Sequence, residues 1–203
     1  MDKEGFVWAG TLNGLNRFDG YKFLTFNPQA GSSTSLVDNR VKDVNEDQYG
    51  SLWVKTYNNE FSCYDPASCS FVNYLAQEKT EPMHYDSFYE SLMRKEIWLW
   101  GKENGCLRIT KQGERYVSKL FIPTEQCSFF YEDSHSVIWT GGVGGVFKIG
   151  SDGEVEQFFR NKYSITCAIE LNGKIYFSTT DATLLIYNSE LKYFEEISSP
   201  AIS

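Results

Sequence analysis

The 203 residues carry a formal charge of −8, with 41% hydrophobic and 16% aromatic side chains. That aromatic content supports a filled core and excludes a disordered chain, while an acidic balance unbroken by any Lys/Arg cluster argues against nucleic acid or an anionic membrane as partner. No stretch approaches the roughly 18 apolar residues of a spanning helix, and Met1 to Gly5 shows no basic region followed by an apolar one, so no export signal is visible.

Five segments superpose along the chain: 5–14, 51–60, 96–105, 137–145 and 174–182. Their aligned aromatics Trp8, Trp53, Trp98, Trp139 and Tyr176 are 45, 45, 41 and 37 residues apart, the period of four-stranded propeller blades. We letter the strands A to D. The first repeat opens with a turn at Asp2 to Gly5, then strand B around Trp8, strand C at 14–18 and strand D at 22–26. Strand A appears at 40–45, more weakly near 85–92, at 126–131 and at 164–169. Turns at 47–50 and 133–136 follow it, where Asp accepts backbone N–H groups. The alternating strands C lie at 60–64, 106–109, 145–149 and 184–187, and the strands D at 70–74, 116–120, 154–158 and 193–197, joined by hairpins such as Asp152-Gly153. The expected fold is an all-β propeller of about five four-stranded blades, spanning 1–27 (partial), 38–75, 84–121, 125–159 and 163–197. The first blade lacks strand A, as in a piece of a larger propeller or in a five-bladed ring with one incomplete blade. The larger propeller is favoured because exposed end blades are an edge liability.

Cys63, Cys69, Cys106, Cys127 and Cys167 show no CxxC or Cys/His ligand spacing, so neither a metal nor a cofactor is expected. In a hairpin turning at Asp65 to Ser68, Cys69 would face Tyr64, which argues against pairing with Cys63. The remaining cysteines read as small buried hydrophobes. His84 and His135 sit in no HExxH motif, there is no GxSxG elbow, and the Gly141 to Gly145 run lies at a hairpin without a helix to form a phosphate cradle. Glu195 and Glu196 are adjacent in a strand and point to opposite faces, so they do not form an acid/base pair.

The run Trp8-Ala-Gly-Thr-Leu-Asn-Gly-Leu-Asn-Arg-Phe-Asp-Gly20 with Phe23, then Ser35-Leu36, Asn39, Glu46-Asp47 and Gly50-Ser-Leu-Trp53, resembles the repeat of the two-component regulator propellers. These form the extracytoplasmic sensor part of hybrid two-component systems in gut Bacteroidetes. Later repeats depart from it: Gly101-Lys102 replaces Gly-Thr, and Tyr176 replaces the Trp. The resemblance implies a periplasmic, non-catalytic segment that detects oligosaccharides released from a polysaccharide. Its partners would be further blades and sensor domains of the parent protein, with a homodimer left open, and with no nucleic acid and no membrane contact by this segment. The kinase of such a system would lie elsewhere in the parent protein. A propeller glycosidase or lyase is the first alternative and a protein-interaction scaffold the second.

Trp8, Trp53, Trp98, Trp139 and Tyr176 recur once per blade, which assigns them to packing between blades. Trp100 stands where other repeats have Gly10, Lys55, Gly141 and Ser178. Its ring is a candidate platform for a sugar, with core filling as the competing role. The B–C loops supply amide, aromatic and charged groups suited to sugar hydroxyls: Asn13, Tyr57, Asn58, Asn59, Lys102, Glu103 and Asn104, with Arg17 and Arg108 on the following strands. Asn in these loops is equally well explained as a turn former.

Overall fold

The computed structural model describes residues 1–74, 84–101, 104–122 and 127–198. Its strands fall into two compact units, Met1–Tyr85 and Asp86–Ser203, and no helix occurs among the described residues. The first unit holds a three-stranded sheet, β1 (Val7–Thr11), β2 (Gly14–Phe18) and β3 (Phe23–Phe26), and a four-stranded sheet, β4 (Val41–Glu46), β5 (Leu52–Thr56), β6 (Phe61–Asp65) and β7 (Ser70–Asn73). The second unit holds three four-stranded sheets. They are β8 (Ser87–Ser91), β9 (Glu96–Gly101), β10 (Gly105–Gln112) and β11 (Arg115–Ile122); β12 (Phe129–Glu132), β13 (Ile138–Gly142), β14 (Gly145–Ile149) and β15 (Val155–Phe158); and β16 (Ile165–Leu171), β17 (Lys174–Thr179), β18 (Thr183–Asn188) and β19 (Tyr193–Ser198). Every sheet is an antiparallel meander in chain order, which is the all-β, propeller-like architecture that the repeat period implies. We number the sheets one to five.

Turn chemistry sets the meanders. Asp47 Oδ1 accepts the N–H groups of Tyr49 (2.9 Å) and Ser51 (3.0 Å), and Asp133 Oδ1 accepts those of His135 and Val137 (both 2.9 Å). In sheets one, three and four strand C opens on a glycine, and at Gly14 and Gly145 the chain is closely crowded. At Gly145, with φ +102°, a Cβ would lie 2.3 Å from the Phe158 carbonyl oxygen, so both conformation and space require glycine. Gly141 and Gly145 thus serve a tight hairpin.

Within each unit the core lies between successive sheets. Within the first unit, Trp8 and Leu15 of sheet one pack with Leu52, Val54, Tyr64 and Phe71 of sheet two. Within the second, Trp98 of sheet three belongs to a cluster with Ile138 and Ile149 of sheet four, and Trp139 of sheet four packs on Phe177 and Tyr187 of sheet five. Each such buried apolar side chain contributes about 1.5–3 kcal/mol through burial. In sheet five the pattern stops halfway. Ile175, Phe177 and Thr179 of β17 are buried, but Tyr176 on the other face is only half-buried, beside Ile169 at 60% and Ile197 at 46% exposure.

Two local expectations need correction. Cys69 does not face Tyr64: the register pairs Tyr64 with Phe71 and Asp65 with Ser70, which leaves Cys69 in the turn at φ +52°. Asp65 widens that turn by accepting the Ala67 N–H and the Ser68 hydroxyl. Cys63 faces Val72, and no disulfide joins it to Cys69. The β10–β11 hairpin is also longer than expected at both ends, because Gly113, at φ +61°, closes a two-residue loop and the alternation of Arg115 to Ile122 continues the ladder to Ile122.

Candidate functional site

In a meander the A–B and C–D turns lie at one end of the sheet and the B–C turn at the other, so two ends must be considered. At the B–C end of the first unit, the turns of sheets one and two meet around Asn39 and Arg40: Gly14 N–H donates to the Asn39 carbonyl (2.7 Å) and Tyr57 N–H to the Arg40 carbonyl (2.9 Å). Asn13 and Asn58 are exposed there, Tyr57 is 50% exposed, and the Arg40 guanidinium stands 5.2 Å over the Tyr57 ring. Asn59 takes the left-handed φ of +60°, and its carbonyl accepts the Tyr85 N–H, so its backbone is committed to the turn. Glu60, next to it, was missed by sequence reasoning. Burial raises its carboxyl above the usual range, against the opposing pull of His84 and with a further push from Asp38.

The other expected residues do not all reach that end. Arg17 lies half-buried along β2 with its guanidinium 4.4 Å over the Phe6 ring. Trp100 is half-buried and stacks on Phe130 at 6.4 Å and 15° between ring planes. Arg108 binds Glu96, which also accepts from Arg94 Nε at 3.0 Å. Asn104 is half-buried at its turn, while Lys102 and Glu103 lie outside the described residues.

The opposite end carries a device that recurs in both units. In each four-stranded sheet a glutamate of strand A pairs with the residue just before the aligned aromatic: Glu46 with Leu52, Glu90 with Ile97, Glu132 with Ile138 and Glu170 with Ile175. Three of these carboxylates are seen to clasp the sheet that precedes them. Glu46 accepts the Lys3 N–H at 3.1 Å, Glu132 accepts the Tyr89 and Ser91 hydroxyls at 2.8 Å, and Glu170 accepts the N–H and hydroxyl of Ser134 at 2.7 Å. Burial, then the bond to Glu132, pushes the Tyr89 hydroxyl well up, and the Ser134 hydroxyl, then its N–H, holds Glu170 below the usual carboxylate range. The fixed place of this Glu beside each aromatic was a readable signal.

Between sheets four and five the same end opens into a cavity of about 360 Å³. Its base is formed by Trp139 and Tyr187, whose ring centroids are 4.8 Å apart, and its rim includes His135, Glu190 and Lys192. Lys148 spans the base, 6.0 Å from the Trp139 centroid and 5.6 Å from that of Tyr187, with Nζ 2.9 Å from Glu156. Burial alone would lower its ammonium, but Glu156 and Tyr187 outweigh that and raise it. An aromatic base with a rim of both charges suits a small hydroxylated ligand better than a bare ion. No local pattern could reveal this cavity, since Tyr187 belongs to the repeat after Trp139. Among the described residues, no group of three or more His, Cys, Asp or Glu could hold a metal ion, and no helix is long and apolar enough to cross a membrane.

No family model matches the chain, and no curated protein matches it. Its structure is similar to the extracellular domain assigned to the hybrid two-component system BT3049 of B. thetaiotaomicron, at 23% identity and a TM-score of 0.57, over 96% of this chain and 28% of that one. It is also similar to the extracellular domain assigned to the system BT4673 of the same organism, at 18% and 0.54, over 100% of this chain and 30% of that one. A third similar structure is virginiamycin B lyase from Staphylococcus aureus, at 15% and 0.52, over 99% of this chain and 69% of that one. The first two belong to the class of protein whose sensor repeats the sequence resembles. This chain spans less than a third of their length.

Proposed function

We propose that the chain is a segment of the extracytoplasmic sensor propeller of a hybrid two-component regulator, non-catalytic in itself, which detects oligosaccharides released from a polysaccharide. The observation that carries this reading is the agreement of two independent likenesses, the repeat motif around Trp8 to Trp53 and the fold shared with the extracellular domains of such systems. The half-covered Tyr176 face supports a larger propeller, because each upstream tryptophan seen within a unit lies against the sheet that follows it. A periplasmic location follows from the same reading.

Two surfaces are candidates for the ligand: the B–C turns with Asn13, Tyr57 and Asn58, and the cavity based on Trp139 and Tyr187. Calorimetric titration with a panel of polysaccharide-derived oligosaccharides, on this chain and on a longer chain carrying further blades, tests the reading. Saturable binding without product supports it, and its loss in Tyr57→Ala or in Lys192→Glu assigns the surface. No binding by either folded chain moves the reading to a protein-interaction scaffold.

One observation favours an enzyme as the second reading. The raised carboxyl of Glu60, within electrostatic range of His84 and Asp38, has the character of a general acid. Release of product from the same panel, abolished by Glu60→Gln, would establish it.

A further inference from the structure

The strand registers define one inter-sheet position that recurs in three places. On strand C it is the residue after the opening glycine: Leu15, Cys106 and Val146, all fully buried. On or just before the strand A that follows, it is found by counting back two residues from the partner of the residue two beyond the aligned aromatic. Those partners are Asp43, Phe129 and Cys167, so the position is Val41, Cys127 and Ile165. Each pair shares one core cluster: Leu15 with Val41, Cys106 with Cys127, and Val146 with Ile165. Two of the three sites therefore set branched aliphatics against each other. The third, between sheets three and four, sets two cysteines, both fully buried in one small core cluster.

We propose that Cys106 and Cys127 form a disulfide that ties sheet three to sheet four within the second unit. Replacing two aliphatics by two cysteines removes side-chain volume from a close-packed site, and a covalent bond across the gap is the change that restores tight contact. The two side chains already share one core cluster at equivalent positions of facing sheets, so the cross-link joins elements that pack together in the fold. The oxidant is a second disulfide, from a small thiol or a thiol-disulfide oxidoreductase. One cysteine thiolate attacks it, releasing one thiol and leaving a mixed disulfide; the other thiolate displaces the second thiol. The two thiol protons pass to the two released thiols, so the two cysteines are oxidised and the oxidant is reduced. Because both sulfurs are buried in the folded chain, exchange precedes the docking of sheet four on sheet three. That the bond forms in the cell rests on the extracytoplasmic reading above, since such bonds persist in oxidising compartments.

The chain is refolded from denaturant with oxidised and reduced glutathione and, in parallel, with dithiothreitol. Free thiols are then alkylated in denaturant and the chain is digested with trypsin without reduction. The expected product of the oxidised sample is the peptide of residues 103–108 joined to that of residues 120–148, lighter by two hydrogens than the sum of the two, with Cys63, Cys69 and Cys167 alkylated. The oxidised chain should also melt several degrees above the reduced one. The double variant Cys106→Val with Cys127→Ile, which copies the Val146 and Ile165 pair, should fold and melt identically in both buffers. Alkylation of all five cysteines in a glutathione-refolded chain of native melting behaviour, or a bridge between any other pair, overturns the proposal. A bridge that forms in glutathione but is missing from the protein isolated from its own cells would instead overturn the extracytoplasmic reading and uphold the pairing.

Discussion

Sheets two and four solve the approach to the aligned tryptophan in one way, and sheets three and five in two others. In sheets two and four the residue after the strand-A glutamate is Asp47 or Asp133. One oxygen of its carboxylate holds the turn and the other accepts the indole N–H, at 2.9 Å from Trp53 and 2.8 Å from Trp139. Asp2 does the same for Trp8 at 2.6 Å. In sheet three that place is taken by Ser91, whose hydroxyl donates to Glu132 and accepts the Arg94 N–H. The buried Trp98 N–H then finds no acceptor among the described residues. Sheet three instead buries an ionic group, Glu96 between Arg94 and Arg108, and Arg94 Nη1 also reaches the carbonyls of Ser136 and Ile149 in sheet four. Sheet five drops both devices, uses the two-residue turn Asn172-Gly173 with φ of +51° and +73°, and replaces the indole with Tyr176. The difference teaches that the apolar slot is the constant of this repeat and its polar closure is exchangeable.

The comparison breaks first if the aromatic slot is not what holds sheets together. Trp139→Ala should cost about 3–5 kcal/mol in urea or thermal unfolding, through the cavity it opens against Phe177 and Tyr187; unchanged melting would remove the basis of the shared slot. Glu96→Ala tests the closure peculiar to sheet three. It strands Arg94, whose side chain is 5% exposed, and should cost about 3–5 kcal/mol, since removing one partner leaves a buried charge uncompensated. Double replacement of Arg94 and Glu96 by Leu should recover much of that loss. Asp133→Ala tests the closure of sheet four. It leaves a buried indole N–H and two turn N–H groups without an acceptor, and a loss of about 2–3 kcal/mol is expected. The matching change in sheet three, Ser91→Ala, removes one charge-assisted bond to Glu132 and should cost about 1–2 kcal/mol, so the ranking of the two variants sharpens the contrast.

The meander and the slot were legible in the sequence because they are local or periodic: period-two alternation, Asp turns, and one aromatic per repeat. The Glu46, Glu90, Glu132 and Glu170 series was equally periodic, yet its role could not be read, since each seen acceptor reaches into the preceding sheet. The cysteine pair and the Trp139–Tyr187 cavity were hidden for the same reason, as both arise where two repeats meet. Arg17 and Arg108 were placed among ligand-binding candidates because charge on a strand next to a loop resembles a site. The structure gives their guanidinium groups ring and carboxylate partners within the fold.

The smallest effect separates the clasp from the exposed turn. Glu170 is held below the usual carboxylate range by Ser134, whereas Glu60 is raised by burial, so their contributions to stability have opposite signs in pH. For Glu170, whose folded value is depressed, the contribution is present above the unfolded value near 4.5 and is lost as pH falls through the folded value. For Glu60, whose folded value is raised, it is fully present below 4.5 and is lost as pH rises through the folded value. Because Ser134 is exposed and Glu170 only half-buried, Ser134→Ala should cost well under about 1 kcal/mol, and stability alone would barely register it. Carboxyl-carbon NMR titration reads the clasp directly: the Glu170 midpoint should rise toward its ordinary value in Ser134→Ala while that of Glu60 stays fixed. A Glu170 midpoint that does not move would mean that the clasp is not formed in solution, and the Glu series would then be a feature of register without a bond behind it.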